Sequence, residues 1–287
     1  MKHEPFIVPP GKQVRLKDFD PRYTGKFTGK EEAREKLAAD VERLAEYQDI
    51  LYAQDSHALL IIFQALDAAG KDSTIKHVMT GVNPLGTQVF SFKAPSAEEL
   101  DHDYLWRCHK AVPERGRIGI FNRSYYEETI VVRVHPEFLA NQRLPAQSGK
   151  KDLWEQRFAQ INNFERYLVE NGIEILKFFL NVSKEKQRER FLARLDTPEK
   201  NWKFSVGDVH ERGHWDEYQK AFEDAFNHTS TEWAPWYIIP ADHKWFAHAA
   251  VADIIVSKLK SMSPQYPKVS KAHVKELAQA RKLLESE

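Results

Sequence analysis

Five short apolar runs, separated by stretches with helical spacing, constrain the fold of this chain more than any other feature. The first run, His57–Gln64 (HALLIIFQ), is almost continuously apolar, which is typical of a strand buried on both faces of a parallel sheet. Long helical connections between such strands favour right-handed βαβ units. We therefore predict an α/β fold of three layers, with helices on both faces of a mostly parallel sheet. The other predicted strands are Thr87–Phe92, Arg117–Phe121, Ile173–Leu180 and Trp236–Ile239.

The predicted organisation is a single domain over residues 31–287, preceded by a polar, proline- and glycine-containing arm of residues 1–30. An amphipathic helix, Glu31–Asp55, begins the domain. Between about residues 196 and 233, apolar residues thin out and charged residues mix with aromatic ones, which predicts a helical lid. Another amphipathic helix, Val269–Leu284, packs either on the core or on a partner subunit, and we expect a homo-oligomer.

The charge balance and the single cysteine limit the classes of partner and the compartment. Lysine plus arginine and aspartate plus glutamate both total 42, so the chain has no global basic field that would hold a nucleic acid. No apolar run reaches the roughly 18 residues of a membrane span. Cys108 has no partner for an internal disulfide, which fits a reducing compartment. We expect a cytoplasmic protein without nucleic-acid or membrane partners, whose polyanion sites are local.

A candidate phosphate-binding loop lies at residues 65–74 (ALDAAGKDST), between the first predicted strand and a helix. Gly70 and Lys71 fit the pattern G-x-x-x-x-G-K-[ST], in which backbone N–H groups surround phosphates and the lysine neutralises them. Ala65 replaces the first glycine, and Asp72 occupies the position of the metal-binding hydroxyl residue. The alternative interpretation is an ordinary strand-to-helix turn with a solvated lysine. The carboxylate of Asp67 favours the phosphate loop, because it could hold Mg²⁺ or orient an attacking phosphate oxygen.

A second motif, FNRSYYEE at residues 121–128, follows the strand RIGIF and so lies at the carboxyl end of the sheet, where α/β proteins bind ligands. Asn122 occupies a Walker B-like position, but an amide is a weaker metal ligand than a carboxylate, so Asp67 and Glu127 are the expected metal ligands. Arg123 can bind a phosphate with two hydrogen bonds, and Arg133 lies downstream. For each arginine the alternative is a surface ion pair.

A basic stripe follows the strand IEILKFFL. Lys186, Arg190 and Arg194 are spaced i, i+4 and i+8 on one helix face, and Lys200 and Lys203 follow in KNWKFS. Helical charge runs are usually solvated faces. Loops that close over phosphates do need cations that they can bring in and withdraw, so these residues are candidates for a phosphate channel.

Taken together, LDAAGKDST, FNRSYYEE, VVRVHPE and PEKNWKFS resemble the motifs of the polyphosphate kinase 2 family, in order, from about Arg15 to Trp245. The resemblance implies a P-loop kinase-like core, dependence on Mg²⁺ with Mn²⁺ as a substitute, and phosphoryl transfer between polyphosphate and nucleoside mono- or diphosphates. The form NRSYYEE resembles the subgroup that phosphorylates both AMP and ADP, which yields ADP and ATP.

The resemblance and the motifs together define a set of expected site residues. The expected catalytic residues are Asp67, Lys71 and Arg123, with Asp67 and Glu127 as metal ligands. The residues expected to bind the nucleotide or the transferring phosphate are Ala68, Ala69, Gly70, Asp72, Ser73, Asn122, Glu127 and Arg133. The residues expected to bind polyphosphate are Lys71, Arg190, Arg194, Lys200 and Lys203, with Lys186 as a further candidate.

Two other functions remain open from the sequence. An ATP-dependent nucleoside monophosphate kinase would use the same phosphate loop and an arginine-rich lid. A polyphosphate-binding or nucleotide-binding protein without catalytic activity is the other, because Ala65, Asp72 and Asn122 depart from the usual phosphate-loop and Walker B patterns. No residue is assigned to the base of the nucleotide.

Overall fold

A five-stranded parallel sheet forms the centre of the computed structural model, which describes residues 1–145 and 153–287. The strands are β1 (Ala58–Gln64), β2 (Thr87–Ser91), β3 (Ile118–Asn122), β4 (Ile173–Asn181) and β5 (Trp236–Pro240). Their order is β2-β3-β1-β4-β5, and every neighbouring pair is parallel. The five predicted strands are confirmed to within two residues at each end. The connection after β1 runs to β2 at one edge of the sheet, whereas the connection after β4 runs to β5 at the other edge. The strand order therefore reverses at the centre of the sheet, and ligands of such folds bind at the carboxyl ends of the strands next to this switch point.

Helices cover both faces of the sheet, and the predicted three-layer α/β fold is confirmed. Alternate residues of β1 enter separate cores. Leu59 and Ile61 pack with helices of residues 30–54, 71–78 and 244–262, and Leu60 and Ile62 pack with helices of residues 153–170 and 215–229. All seven residues of β1 are buried, as the nearly continuous apolar run predicted. The α-helices of the described residues are α1 (Lys30–Gln54), α2 (Lys71–Val78), α3 (Ala97–Leu100), α4 (Trp106–His109), α5 (Val131–Val134), α6 (Leu153–Glu170), α7 (Lys184–Leu195), α8 (Val206–Glu211), α9 (Trp215–Thr229), α10 (Lys244–Met262) and α11 (Lys271–Glu285).

The N-terminal arm lies along the outer edge of β5. Ile7 forms an antiparallel bridge with Tyr237, and the Val8 amide donates to the carbonyl oxygen of Trp236 over 2.9 Å. Phe6 is buried in the core that contains α1 and α10. The arm therefore covers a strand edge that would otherwise expose unpaired backbone groups.

The predicted lid, about residues 196–233, divides into two parts with different environments. Residues 198–214 form α8 between two 3₁₀ turns, and most of their side chains are at least partly exposed. In α9, by contrast, Tyr218, Phe222 and Phe226 repeat at four-residue intervals and are buried against the sheet. The predicted lid is therefore too long, because the charged sequence of α9 contains an apolar stripe that packs in the core. We call residues 198–214 the lid.

The C-terminal helix α11 is exposed along its whole length in the single chain. Ser263 ends α10 in a left-handed conformation, and the linker that follows contains Pro264 and Pro267. Among the described residues, no helix combines the length and apolarity that crossing a bilayer requires.

A buried ion pair fixes the segment that follows β3. Lys177 of β4 and Glu165 of α6 are both fully buried, and Lys177 Nζ donates to Glu165 Oε2 over 2.6 Å. The hydroxyl groups of Tyr125 and Tyr126 donate to Glu165 Oε1 over 2.9 and 2.8 Å. Burial lowers the pKa of Lys177, and the charge of Glu165 opposes that change. The tyrosines of FNRSYYEE therefore anchor the motif in the core.

We expect Lys177→Met to lower the free energy of unfolding by about 3–5 kcal/mol, because it leaves Glu165 buried without its cation. Urea denaturation followed by circular dichroism measures the change. The double variant Lys177→Met/Glu165→Gln is the control, since a neutral amide can still accept from the tyrosines. A single variant as stable as the double variant would contradict a buried ion pair at this position.

Candidate active site

The predicted phosphate-binding loop connects β1 to α2 at the carboxyl end of the central strand. Gly70 is the N-cap of α2 and has a φ of +112°, a conformation that glycine adopts without strain. Ala68 is also left-handed, with a φ of +61°. The loop thus ends on a helix N-terminus, where free N–H groups and the helix dipole favour an anion.

The side chain of Lys71 crosses the loop. Its Nζ donates to the carbonyl oxygen of Ala65 over 2.8 Å, and the residue is 9% exposed. Burial lowers the pKa of the Lys71 ammonium, and the nearby carboxylate of Asp67 opposes this effect. Lys71 is therefore held at the loop as the sequence motif predicted, and not solvated as in an ordinary turn.

Arg123 joins the loop to the FNRSYYEE motif. Its Nη2 donates to Asp67 Oδ1 over 3.2 Å, and its Nη1 lies 3.8 Å from Glu127 Oε2. Burial disfavours the charged guanidinium, but the carboxylates of Glu127 and Asp67 outweigh burial and raise the pKa of Arg123. Burial raises the pKa of Glu127, although Arg123 and Lys71 oppose that change. All three predicted catalytic residues, with Glu127, therefore lie together.

Asn122 connects the end of β3 to the first turn of α2. Its Nδ2 donates to Asp72 Oδ1 over 2.9 Å. A carboxylate at position 122 could not donate this hydrogen bond, so the asparagine and the unusual Asp72 are matched to each other. Ser73 points elsewhere: its hydroxyl lies 3.3 Å from Nε2 of His248 on α10.

The side chain of Arg190 forms hydrogen bonds to backbone carbonyl groups on two segments of the chain. Its guanidinium donates four hydrogen bonds of 2.6–3.1 Å to carbonyl oxygens, those of Ala68, Ala69, Ala241 and Asp242. These bonds join the loop after β1 to the segment after β5. The donors of Arg190 are thus engaged in fixing the shape of the loop, and its contact with polyphosphate stays a prediction.

Arg133 also differs from its prediction as a phosphate ligand. Its guanidinium forms an ion pair with Asp224 of α9 and lies 5.9 Å from the ring of Trp154. The helix α5 turns this side chain toward α9, so Arg133 does not join Asp67 and Arg123. The surface ion pair considered from the sequence is the arrangement in the structure.

Other cations gather beside the loop, and one of them was not anticipated. Lys244 begins α10, and its Cε lies 3.8 Å from the position that a Cβ on Gly70 would occupy. Burial lowers the pKa of Lys244, and the charges of Arg190, Arg194 and Lys200 lower it further. We call Arg194, Lys200 and Lys244 the basic cluster. Lys244 follows the carboxyl end of β5, and that position was the signal for it in the sequence.

The remaining predicted lid cations have separate environments. Lys186 forms an ion pair with Glu189 on the outside of α7. Lys203 ends a 3₁₀ turn, Pro198–Lys203, and its side chain lies outside the described part of the structure.

A cavity of about 170 Å³ opens on the other group of site residues. Asp67, Arg123 and Glu127 line one side, and the lid contributes Asp208 and Glu211. The further polar or aromatic lining residues are Gln64, His135, Phe138, Gln187, Arg212, Trp215, Tyr218 and Phe222. The basic cluster does not line this cavity. Sequence reasoning missed its lid residues because DVHERGHW, residues 208–215, has no spacing that distinguishes a binding face.

A model of the family described as Polyphosphate kinase 2 (PPK2) matches residues 28–267. The chain belongs to the polyphosphate kinase 2 family. The chain is an enzyme of that family, and the matched region contains the loop, the FNRSYYEE motif, the lid and the basic cluster. The resemblance that the motifs indicated is thereby confirmed.

Similar proteins cover almost the whole chain. An ADP-polyphosphate phosphotransferase of Rhodopseudomonas palustris is 49% identical over 285 residues, 99% of each chain. An AMP/ADP-polyphosphate phosphotransferase of Meiothermus ruber is 46% identical and covers 94% of this chain and 97% of its own. The crystal structure of Polyphosphate Kinase 2 from Arthrobacter aurescens TC1 matches with a TM-score of 0.86 and 40% identity, over 96% of this chain and 95% of that one.

Proposed function

We propose that this enzyme transfers phosphoryl groups from inorganic polyphosphate to AMP and ADP. The observation that carries the proposal is the position of the loop between two differently charged surfaces. Lys244 of the basic cluster lies beside Gly70, with the charges of Arg194 and Lys200 acting on it, whereas Asp67, Arg123 and Glu127 line the cavity. A donor and an acceptor could therefore meet at Lys71.

The basic cluster suits the donor. Burial lowers the pKa of Lys244, the charges of Arg190, Arg194 and Lys200 lower it further, and a chain of phosphates would relieve this repulsion. Polyphosphate carries charge along its whole length and offers no base for a pocket to recognise. A row of cations is therefore the recognition that it needs, and the predicted Lys203 would extend the row.

The cavity suits the terminal phosphate of the acceptor. Arg123 already lies between Asp67 and Glu127, and a guanidinium can exchange a carboxylate for a phosphate because both present two oxygens in a plane. The base of the nucleotide would extend toward Trp215 and Tyr218, which lie on α9 and line the cavity.

The reaction is an in-line displacement. An oxygen of the acceptor phosphate attacks the terminal phosphorus of polyphosphate, the P–O bond to the rest of the chain breaks, and the shortened polyphosphate leaves with the electron pair. Lys71 and the N–H groups of the loop offset the charge on the transferred group. Asp67 orients the attacking oxygen, and Arg123 neutralises the acceptor phosphate.

The carboxylates fit a magnesium ion. Mg²⁺ commonly binds one or two carboxylates together with phosphate oxygens and water, so it does not need a cluster of three protein ligands, and the described residues contain none. Asp67 and Glu127 both approach Arg123 and would hold the ion, or Mn²⁺ in its place. When bound, the ion supplies charge neutralisation to the phosphates.

The assay that tests the function supplies long-chain polyphosphate and Mg²⁺ with AMP or ADP in separate reactions, followed by chromatography of the nucleotides. We expect ADP and then ATP from AMP, and ATP from ADP. The names of the relatives differ on AMP, so the AMP reaction decides the subgroup that NRSYYEE resembles. Turnover with ATP alone as the donor would favour a nucleoside monophosphate kinase, and binding without turnover would favour a non-catalytic protein.

Asp67→Asn tests the proposed catalytic carboxylate. The substitution keeps the volume and removes the charge, so we expect kcat to fall by about two orders of magnitude or more while the melting temperature stays within a few degrees. Asp49→Asn, on the exposed face of α1, is the matched control and should retain activity. Normal turnover of the Asp67 variant would remove this residue from the mechanism.

Lys244→Gln tests the basic cluster. Removing one cation should raise KM for polyphosphate about tenfold, equivalent to ~1.4 kcal/mol, and change KM for ADP little. Lys260→Gln is the control, because Lys260 lies exposed near the other end of α10. An equal increase of both KM values would show that Lys244 does not distinguish the donor.

The assignments of individual residues to donor and acceptor, the cytoplasmic location and the homo-oligomeric state stay predictions.

A further inference from the structure

We propose that Gln187 is a positioning residue that couples the lid to the catalytic loop. Gln187 lies on α7 and is 3% exposed. Its Nε2 donates to the backbone carbonyl oxygen of Asp67 over 2.9 Å, and its Oε1 accepts from Nη1 of Arg212 over 2.5 Å. Arg212 directly follows α8, so one side chain connects the residue after the lid helix to the proposed catalytic aspartate.

The chemistry of the two partners requires an amide at this position. The arginine can only donate and the backbone carbonyl can only accept, so the side chain between them must accept at one end and donate at the other. The two contacts also define which atom of the Gln187 amide is oxygen and which is nitrogen. A carboxylate of the same length would keep the bond to Arg212 but would repel the carbonyl of Asp67.

Gln187 acts beside Arg190 on the same face of α7. Together they bind three consecutive carbonyl oxygens of the loop, those of Asp67, Ala68 and Ala69. Carbonyl groups turned toward α7 are kept away from the phosphate side, where their partial negative charge would repel the substrate. Arg190 is also fixed to the segment after β5, whereas Gln187 is bound to Arg212. Of these two side chains, Gln187 is therefore the one that a movement of the lid would affect.

The lid has few other attachments near this end. Arg212 also donates to the carbonyl oxygen of Lys184 over 3.1 Å, and Glu211 accepts from Tyr218 and His135. Most residues of α8 are exposed. When α8 occupies the position in the structure, Gln187 holds the Asp67 peptide. When the lid opens, Arg212 withdraws, Gln187 Oε1 loses its donor, and the Gln187 amide is held less firmly against the Asp67 carbonyl.

The consequence rests on the proposed function: Gln187 and Arg212 should affect the rate of transfer in the closed state more than the binding of polyphosphate. The experiment compares Gln187→Met, Arg212→Met and the double variant, with kcat and KM measured for polyphosphate and ADP. We expect each single variant to lower kcat about tenfold and to leave KM for polyphosphate within about twofold, and the double variant to be no worse than the poorer single variant, as residues acting as one unit behave.

Two further variants separate positioning from a loss of fold. Arg188→Met removes an exposed cation from the same helix and should leave kcat unchanged. Gln187→Glu preserves the bond to Arg212 and should show the same kcat loss as Gln187→Met. If the loss of kcat in the double variant equals the product of the two single losses, the two residues act independently, which would overturn the coupling. An unchanged kcat in Gln187→Met would overturn the proposal.

Hydrogen exchange supplies a readout that does not depend on turnover. Amides of residues 65–74 should exchange faster in Gln187→Met and in Arg212→Met than in the wild type or Arg188→Met. Loop exchange that is unaffected by Arg212→Met would overturn the coupling even if the enzyme is active. Wild-type protein without turnover, but with the expected exchange pattern, would overturn the proposed function and preserve the coupling.

Discussion

The guanidinium of Arg190 is the interaction on which the shape of the site depends most. It bonds to carbonyl groups after β1 and after β5, two strands separated by β4 in the sheet. Parallel strands bring their carboxyl ends to one edge, but the loops that leave them diverge. Four charge-assisted hydrogen bonds to backbone oppose that divergence and require no side-chain partner that could be lost by substitution.

The site contains both acidic and basic groups in separate places, although the chain as a whole has no net charge. Carboxylates and Arg123 line the cavity, whereas Lys244 of α10 lies beside Gly70 and the charges of Arg194 and Lys200 act on it. Such an arrangement can attract a polyanion locally without a global basic field. The balanced composition and a strongly basic surface beside the loop are therefore compatible.

The sequence predicted the framework well because burial leaves a direct pattern in it. Apolar runs identified all five strands, and Gly70 and Lys71 identified the loop. It predicted poorly where one residue type has several uses. Arg190 and Arg133 were both predicted to bind phosphate, yet Arg190 binds backbone carbonyl groups and Arg133 binds Asp224. Lys244 was missed because its position after β5 was the one signal for it, and its neighbour Gly70 lies far away in sequence.

Ala68 and Arg123 both hold left-handed backbone conformations, with φ values of +61° and +67°, although neither is glycine. Such a conformation costs roughly 1–2 kcal/mol for an ordinary residue, so both sides of the site store conformational strain. The surrounding contacts must maintain that strain whether or not substrate is present. Variants selected only for heat resistance would be expected to relax these two positions first, and the gain in stability would come at the expense of a preorganised site.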